Sequence, residues 1–505
     1  MKKIFVLSLL VLAFAATAYS QPKLDFRASG FINVTTQMWQ WNMGTGINNT
    51  AGIVNVVPTR LQPNGGEWDR TASYVEQRGR LKFDAIMGKE LSGTIFFEMD
   101  SRTWGDDPSS GAGQAAGRNQ IGNLTGDRSG LEVKNLYFDI AVPYIPIPIT
   151  VRPGLQPFGI RSNMFWYFDA TGITAAAKID PVTIIGIWGK ALEGRLASSD
   201  DADFYGLHAN AKVDTFTLGG YGVYFNLRQY PLGVSLNGTA YGSTADSMDA
   251  SMWWLGLYAD GKLGPVMLNF DFIYDTGEVK DRLHGFSKVK YSGWASRLKL
   301  DFPWEAFNFG AVGLYGTGAD LRKTGQFGMP GAAVADPNYA DAGAVTTKVN
   351  SYVVPMSSET GLQDSEVFFA SYLSGGFNGM GYSNAGTQMT RGCAGGLWFA
   401  KLYGTYKVTP EFKVTLQGLY IGDTAKNGDT FGNARDATGG LKNSSTIGWE
   451  ADLINEWQVY KNLTFYFGGG YMWPGDGLKF YNPLTGGNEK PDGPWTFITR
   501  LVYNF

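Results

Sequence analysis

Residues 75–86 read "VEQRGRLKFDAI" and contain two interleaved sets of side chains. Every second position is charged: Glu76, Arg78, Arg80, Lys82 and Asp84. The alternate positions at the end of the stretch are apolar: Leu81, Phe83 and Ala85. Successive side chains of a β-strand point to opposite faces of the sheet. The stretch therefore predicts a strand with one charged face and one apolar face.

The same alternation recurs from Leu24 to Phe505. It predicts strands near 24–41, 73–87, 91–104, 129–141, 147–158, 168–178, 182–191, 203–213, 216–228, 251–261, 265–276, 287–300, 306–318, 396–408, 411–423, 445–459, 463–474 and 494–505. Short links such as "MGKE" and "VDT" alternate with long ones such as 42–72 and 319–395. Short turns on one side and long loops on the other are typical of a transmembrane barrel, with periplasmic turns and extracellular loops. We expect an all-β antiparallel barrel of about 18 strands, with 16 as the alternative.

The composition agrees with such a barrel. Charged residues make up 17%, against about 25% in soluble domains. Hydrophobic residues make up 44% while mean hydropathy is −0.15, so apolar and polar residues are interspersed. Helical membrane spans need about 18 consecutive apolar residues, so this interspersion argues against such spans. A net charge of −3 predicts neither a nucleic-acid surface nor an acidic tail.

The chain begins with a different kind of segment. Lys2 and Lys3 precede an apolar stretch from Phe5 to Ala16, and small residues follow. This order is typical of a secretory signal peptide. We expect residues 1–20 to be cleaved, residues 21–505 to form one barrel domain, and the protein to reach the outer membrane. Within that domain, 319–395 would be a long extracellular or pore-folding loop.

Residues that commonly carry catalysis or cofactors are scarce. Cys393 is the only cysteine, and His208 and His284 are the only histidines. We expect no cofactor, no metal site and no enzymatic activity. A hydrolase using His208 inside the barrel is the alternative to a pore-lining role for that residue. The acidic loops 105–111 and 198–204 could hold Ca²⁺ through oxygen ligands, but neither has the EF-hand spacing, which favours solvated loop acids.

In a membrane barrel the apolar face meets lipid and the polar face lines water. The parity of each strand predicts these pore-lining residues: Arg27, Glu76, Arg78, Arg80, Lys82, Asp84, Glu98, Asp100, Arg102, Glu132, Lys134, Arg152, His208, Lys212, Arg297, Lys299 and Arg500. Because basic residues are concentrated near the closing strands, we expect a weak preference for anions. The alternative is that these charges only neutralise one another and stiffen the wall.

The last strand, "PWTFITRLVYNF" (494–505), ends on an aromatic ring. Alternating apolar residues before a terminal aromatic resemble the signal that barrel-assembly machinery recognises in outer-membrane proteins. We expect Leu501, Tyr503 and Phe505 to form that signal.

Residues 91–159 resemble the outer-membrane homotrimeric porins of sulfate- and metal-reducing bacteria. The matching residues are Phe97, Glu98, Trp104, Gly105, Glu132, Val133, Lys134, Val151, Arg152, Gly154 and Gln156. Residues 253–277 look like a later hairpin of the same family. The resemblance implies a porin, often trimeric, for passive diffusion of small polar or ionic solutes. The long connection at 319–395 departs from the family pattern.

Two other functions are compatible with a barrel of this size. One is a sheath around cytochromes in an electron conduit, which would need haem-bearing partners because this chain has no haem attachment motif. The other is a substrate-specific channel of the alginate-export type, which should have a denser ring of basic residues.

Overall fold

The computed structural model describes residues 23–40, 72–105, 120–121, 130–193, 201–228, 235–236, 239–240, 248–281, 289–321, 348–356, 358, 361–369, 389–482 and 485–505. Its framework consists of long strands, numbered here in chain order: β1 (Leu24–Gln40), β2 (Ala72–Met87), β3 (Leu91–Trp104), β4 (Glu132–Ala141), β5 (Ile149–Ile160), β6 (Trp166–Ile179), β7 (Val182–Leu192), β8 (Ala202–Val213), β9 (Phe216–Leu227), β10 (Met248–Leu263), β11 (Val266–Asp281), β12 (Val289–Trp304), β13 (Phe307–Gly316), β14 (Leu397–Lys407), β15 (Phe412–Asp423), β16 (Thr446–Tyr460), β17 (Leu463–Pro474) and β18 (Trp495–Asn504). Within these ranges, no helix is both long enough and apolar enough to cross a membrane.

Each of these 18 strands pairs antiparallel with its neighbours along the chain. The ring closes because β18 pairs with β1, in a register running from Phe31 opposite Asn504 to Gln40 opposite Trp495. The predicted closed antiparallel barrel is confirmed, with 18 strands rather than 16. Closure leaves no unpaired edge strand.

The predicted strand positions are confirmed, although several ends differ. The largest difference is at β11, which continues to Asp281 because Val279 and Lys280 pair with the start of β10. The pairing of β3 with β4 contains a β-bulge. Phe96 lies opposite Asn135 and Phe97 opposite Val133, so Lys134 is the extra residue of the bulge.

The short connections all lie at one end of the barrel. Two of them, 214–215 and 305–306, begin with Asp214 and Glu305 at φ values of 54° and 53°. Left-handed backbone at the first turn residue is what tight hairpins require. The long connections lie at the other end, as predicted, and the shortest of them is 161–165.

The two faces of the wall differ as the alternation predicts. On β10, outward Leu255 and Leu257 are 45% and 63% exposed, whereas inward Trp254 and Tyr258 are 0% and 8% exposed. Outward aromatic rings contact one another from strand to strand near the long-loop end, as Tyr224 and Trp253 do at 4.6 Å between centroids. Trp166, by contrast, is fully buried on the lumen side, where its ring lies 5.1 Å from that of Phe168.

Candidate solute pathway in the barrel lumen

Glu98 is the centre of a cluster of charges on the lumen face. Its side chain is 2% exposed, and three basic side chains from neighbouring strands form ion pairs with its carboxylate. Arg78 lies at 3.0 Å, Arg80 at 2.6 Å and Lys134 at 2.9 Å from its oxygens. Lys134 also contacts Asp169 at 2.8 Å. Pairing with hydrogen-bonded cations compensates the cost of burying this carboxylate.

Further pairs lie closer to the short-turn end and are more open to water. Lys82 and Asp84 are 2.9 Å apart, with side chains 35% and 20% exposed. Arg152 donates two hydrogen bonds to Asp139, at 2.7 Å and 3.0 Å. We call the lumen face of β1 to β5, which carries these pairs and the Glu98 cluster, the ionic sector. Partly exposed charged pairs on an inward face provide the polar lining that an aqueous channel requires.

A different part of the lumen is filled with aromatic rings. The aromatic cluster comprises Phe158, Phe165, Trp166, Phe168, Phe204, Tyr221, Phe225 and Trp254. Phe204 lies 5.0 Å from Phe158 and 5.4 Å from Phe225, and each of these rings is at most 2% exposed. Close packing of this kind leaves no room for water. The inner face of the barrel therefore includes a charged, partly exposed ionic sector and a closely packed aromatic cluster.

The short loop 161–165 folds inward and supplies part of that cluster. Arg161 has φ 51° and reaches across the lumen to Asp260 at 2.7 Å and to Asp271. Its guanidinium also lies 4.6 Å from the ring centroid of Tyr258. Burial works against the charged form, but hydrogen bonds to Asp271 and Asp260 outweigh it, so the pKa of Arg161 is raised. These contacts fix the start of loop 161–165, whose Phe165 stacks on Tyr221 at 5.2 Å between ring centroids.

In the long loop, the described residues 348–356, 358 and 361–369 also lie inside the barrel. Val353 donates its backbone N–H to Asp275 at 3.1 Å and accepts the indole N–H of Trp254 at 2.8 Å. Tyr352 donates its hydroxyl to the carbonyl of Met164 at 3.1 Å. The loop is thus bonded both to the wall and to the inward loop 161–165.

Residues 361–369, here the inserted segment, are anchored to β16. The Glu450 carboxylate, 2% exposed, accepts the backbone N–H groups of Val367 at 2.6 Å and Phe368 at 2.9 Å. It also accepts the hydroxyl of Ser365 at 3.0 Å. The neighbouring Asp452 accepts the N–H of Glu366 at 3.3 Å. A carboxylate that receives several donors makes stronger hydrogen bonds than a neutral acceptor.

The inserted segment covers a cavity of about 380 Å³ in the lumen. Basic side chains from β12, β14 and β15 line the cavity together with Asp364 of the segment; they are Arg297, Lys299, Lys401 and Lys413. Arg297 makes a forked contact with the Asp364 carboxylate, at 3.0 Å and 3.2 Å. Lys413 pairs with Glu456 at 2.7 Å. The cavity therefore contains more basic than acidic side chains.

The structure brings together many of the predicted pore-lining residues. Arg78, Arg80, Glu98 and Lys134 form one cluster, and Arg297 and Lys299 face the cavity. Glu76 accepts a hydrogen bond from Gln37 at 2.9 Å. His208 lies 2.9 Å from the hydroxyl of Tyr258.

The remaining predicted residues are more dispersed. Arg27 pairs with Asp25 and is exposed at the start of β1, and Lys212 and Glu132 are also exposed. Arg500 lies opposite Thr35 on β1. The side chains of Asp100 and Arg102 lie outside the described residues, as do residues 1–20, His284, 106–111 and 198–200. In the described part of the second acidic loop, Asp201 and Asp203 pair with Lys190 at 2.8 Å and 3.5 Å.

Several charged residues of the lumen were not among the predicted set. Asp271 and Asp275 follow the parity of β11, where they alternate with Phe270, Phe272 and Tyr274, so the strand pattern contains their signal. Arg161 and Asp364 lie in loops, and no periodicity points to them. Among the described residues, no group of three or more His, Cys, Asp or Glu side chains is arranged to hold a metal ion.

No family model and no curated protein matches the chain. Solved structures with similar architecture include a BenF-like porin from Pseudomonas fluorescens Pf-5, at 10% identity, 95% coverage of this chain, 98% of that chain and a TM-score of 0.49. OccK10 (OpdN) of Pseudomonas aeruginosa has 10% identity, coverages of 95% and 99%, and a TM-score of 0.47. OccK11 (OpdR) of the same species has 10% identity, coverages of 95% and 96%, and a TM-score of 0.44.

Proposed function

We propose that this chain is an outer-membrane porin, a water-filled channel for passive diffusion of small polar or ionic solutes. The observation that carries the proposal is the division of faces on a closed 18-strand barrel. Exposed apolar side chains cover the outside, and charged pairs open to water line the ionic sector inside. A barrel of this strand number encloses an aqueous lumen rather than a side-chain core.

The inserted segment and the aromatic cluster favour a narrow, selective channel over a wide one. Both occupy space that an unobstructed barrel would leave to water, and both are bonded to the wall. A substrate-specific channel is therefore the second candidate. Loops folded into the lumen commonly set the selectivity of such pores. A sheath around cytochromes would need lumen space that these side chains already fill.

Selectivity should include a weak preference for anions. The cavity beneath the inserted segment is lined by four basic side chains, and the Glu98 cluster joins three cations to one carboxylate. Reversal potentials of the reconstituted protein, measured across a planar bilayer in a potassium chloride gradient, test this. We expect a small shift toward the chloride equilibrium potential. A clear shift toward the potassium potential would contradict the proposed preference.

Export and assembly are part of the same proposal. Residues 1–20 would direct the chain through the inner membrane and be removed, and Leu501, Tyr503 and Phe505 would be bound by barrel-assembly machinery. Those three side chains are 39%, 46% and 44% exposed on the outside of β18 and its end. The resemblance of residues 91–159 to trimeric porins supports a homotrimer. Cross-linking in native outer membranes distinguishes a trimer from a monomer.

A further inference from the structure

Asp364 lies in the cavity beneath the inserted segment and pairs with one of the basic side chains that line it, Arg297. Its carboxylate is buried, with the residue 5% exposed, and it faces the guanidinium of Arg297, which is 6% exposed. Arg297 donates to both carboxylate oxygens from one nitrogen, at 3.0 Å and 3.2 Å, and its Nε lies 3.3 Å from one of them. Such forked contacts are the geometry in which arginine binds small oxygen-bearing anions.

Asp364 belongs to the loop rather than to the barrel wall. Lys401 donates to its backbone carbonyl at 2.7 Å, and Gln417 donates to the same carbonyl at 3.3 Å. Glu450 holds the next residues of the segment independently, through Ser365, Val367 and Phe368. The segment would thus remain anchored even when the Asp364 carboxylate leaves Arg297.

We propose that Asp364 is a tethered competitor: its carboxylate occupies the anion-binding site of the cavity, and a small anion with two acceptor oxygens enters by displacing it. The inference rests on the proposed channel function and concerns how that channel is regulated. It makes Asp364 a specificity-determining residue and Arg297 the group that it shields.

A tethered group competes at an effective concentration in the millimolar range or above. A free anion therefore binds Arg297 weakly while the Asp364 side chain occupies the site. Replacing the carboxylate by the isosteric amide, Asp364→Asn, preserves the shape of the segment and removes the competitor. Glu456→Gln is the matched control, because Glu456 lines the same cavity and pairs with Lys413 at 2.7 Å but is not part of the loop.

The experiment measures chloride current through the full-length protein in planar bilayers while acetate is titrated in. Acetate is chosen because it is the head group of an aspartate side chain. We expect Asp364→Asn to lower the half-inhibiting acetate concentration by about tenfold or more. Glu456→Gln should lower it by less than about threefold, since it removes the same charge without removing the competitor. In Arg297→Gln, inhibition by acetate should disappear.

The outcomes separate this inference from the channel proposal. An equal decrease of the half-inhibiting acetate concentration in Asp364→Asn and Glu456→Gln would mean that only the net charge of the cavity matters. That result would overturn the inference. An unchanged acetate response in Asp364→Asn would do the same. If Asp364→Asn fails to assemble, Arg297→Gln decides alone, and acetate inhibition that persists in it refutes the site. Absence of any chloride current in the wild-type protein would overturn the proposed function itself.

Discussion

Replacing Glu450 by glutamine should loosen the inserted segment without disturbing the barrel. The carboxylate of Glu450 accepts hydrogen bonds from Ser365, Val367 and Phe368, at 3.0 Å, 2.6 Å and 2.9 Å. The glutamine amide retains one acceptor oxygen, but its NH₂ group is a donor. At least one of the three donors in the segment therefore loses its acceptor. Hydrogen bonds to a charged partner contribute about 1.5–3 kcal/mol each.

Losing one such bond and weakening the others should cost about 2–4 kcal/mol of docking free energy. Every 1.4 kcal/mol is a factor of about ten, so the ratio of docked to undocked segment should fall by about 30-fold to about 1,000-fold. Native-state hydrogen exchange in detergent measures this at the amides of Val367 and Phe368. Faster exchange there, with strand amides of β16 unchanged, is the expected result.

The control for this variant is Glu456→Gln. Glu456 lies on the same strand and the same lumen face, but it pairs with Lys413 instead of the loop. Its replacement should leave exchange in the inserted segment unaltered. Unchanged exchange at Val367 and Phe368 in Glu450→Gln, or an equal increase in both variants, would refute the reasoning that Glu450 anchors the segment.

Three further predictions concern other contacts. Arg161→Gln leaves Asp260 and Asp271 without their shared cation, so it should lower the free energy of unfolding by about 2–4 kcal/mol, measured by thermal unfolding. The control Arg27→Gln, at an exposed ion pair, should change the free energy of unfolding by less than about 0.5 kcal/mol. Gly30→Ala should reduce the yield of heat-modifiable, SDS-resistant barrel, because a Cβ there would lie 2.2 Å from the Arg80 carbonyl and 2.9 Å from the Phe505 ring. The control Gly93→Ala should assemble normally, because a Cβ at Gly93 would have no atom within 4 Å. Burial raises the pKa of Asp429 from 3.8 to about 7, so between these pH values the folded state holds a proton that the unfolded state releases. Loop 424–445 should therefore lose stability as pH rises from about 4 to about 7, which hydrogen exchange corrected for intrinsic rates would show as faster exchange. Protection that does not change with pH and matches that of Asp429→Asn would contradict this.

The strands could be predicted from the sequence because their signal is local. Alternation in residues such as Arg80, Leu81 and Lys82 follows directly from the geometry of a strand. The alternation of short and long connections then predicted a closed barrel. Pairing across the seam, as between Phe31 and Asn504, follows once the ring must close.

The contents of the lumen could be predicted only in part. Arg152 and Phe158 have the same parity on β5, yet Arg152 pairs with Asp139 near water and Phe158 is buried in the aromatic cluster. Parity gives the face of a side chain but not what covers that face. The covering loops 161–165 and 361–369 have no periodicity, and their partners lie far away in sequence, as Asp364 does from Arg297. Such contacts depend on the assembled barrel.

The central claim is that solutes pass through the charged part of the lumen, which includes the ionic sector, and not through the aromatic cluster. Single cysteines test it directly in a Cys393→Ala background, since Cys393 is buried and the only cysteine. Ser29→Cys is an isosteric change opposite Lys82 in the ionic sector, and Ala202→Cys lies in the dry core beside Phe204. A negatively charged, water-soluble thiol reagent should reduce the current of Ser29→Cys and leave that of Ala202→Cys unchanged. Block at Ala202→Cys without block at Ser29→Cys would contradict the claim.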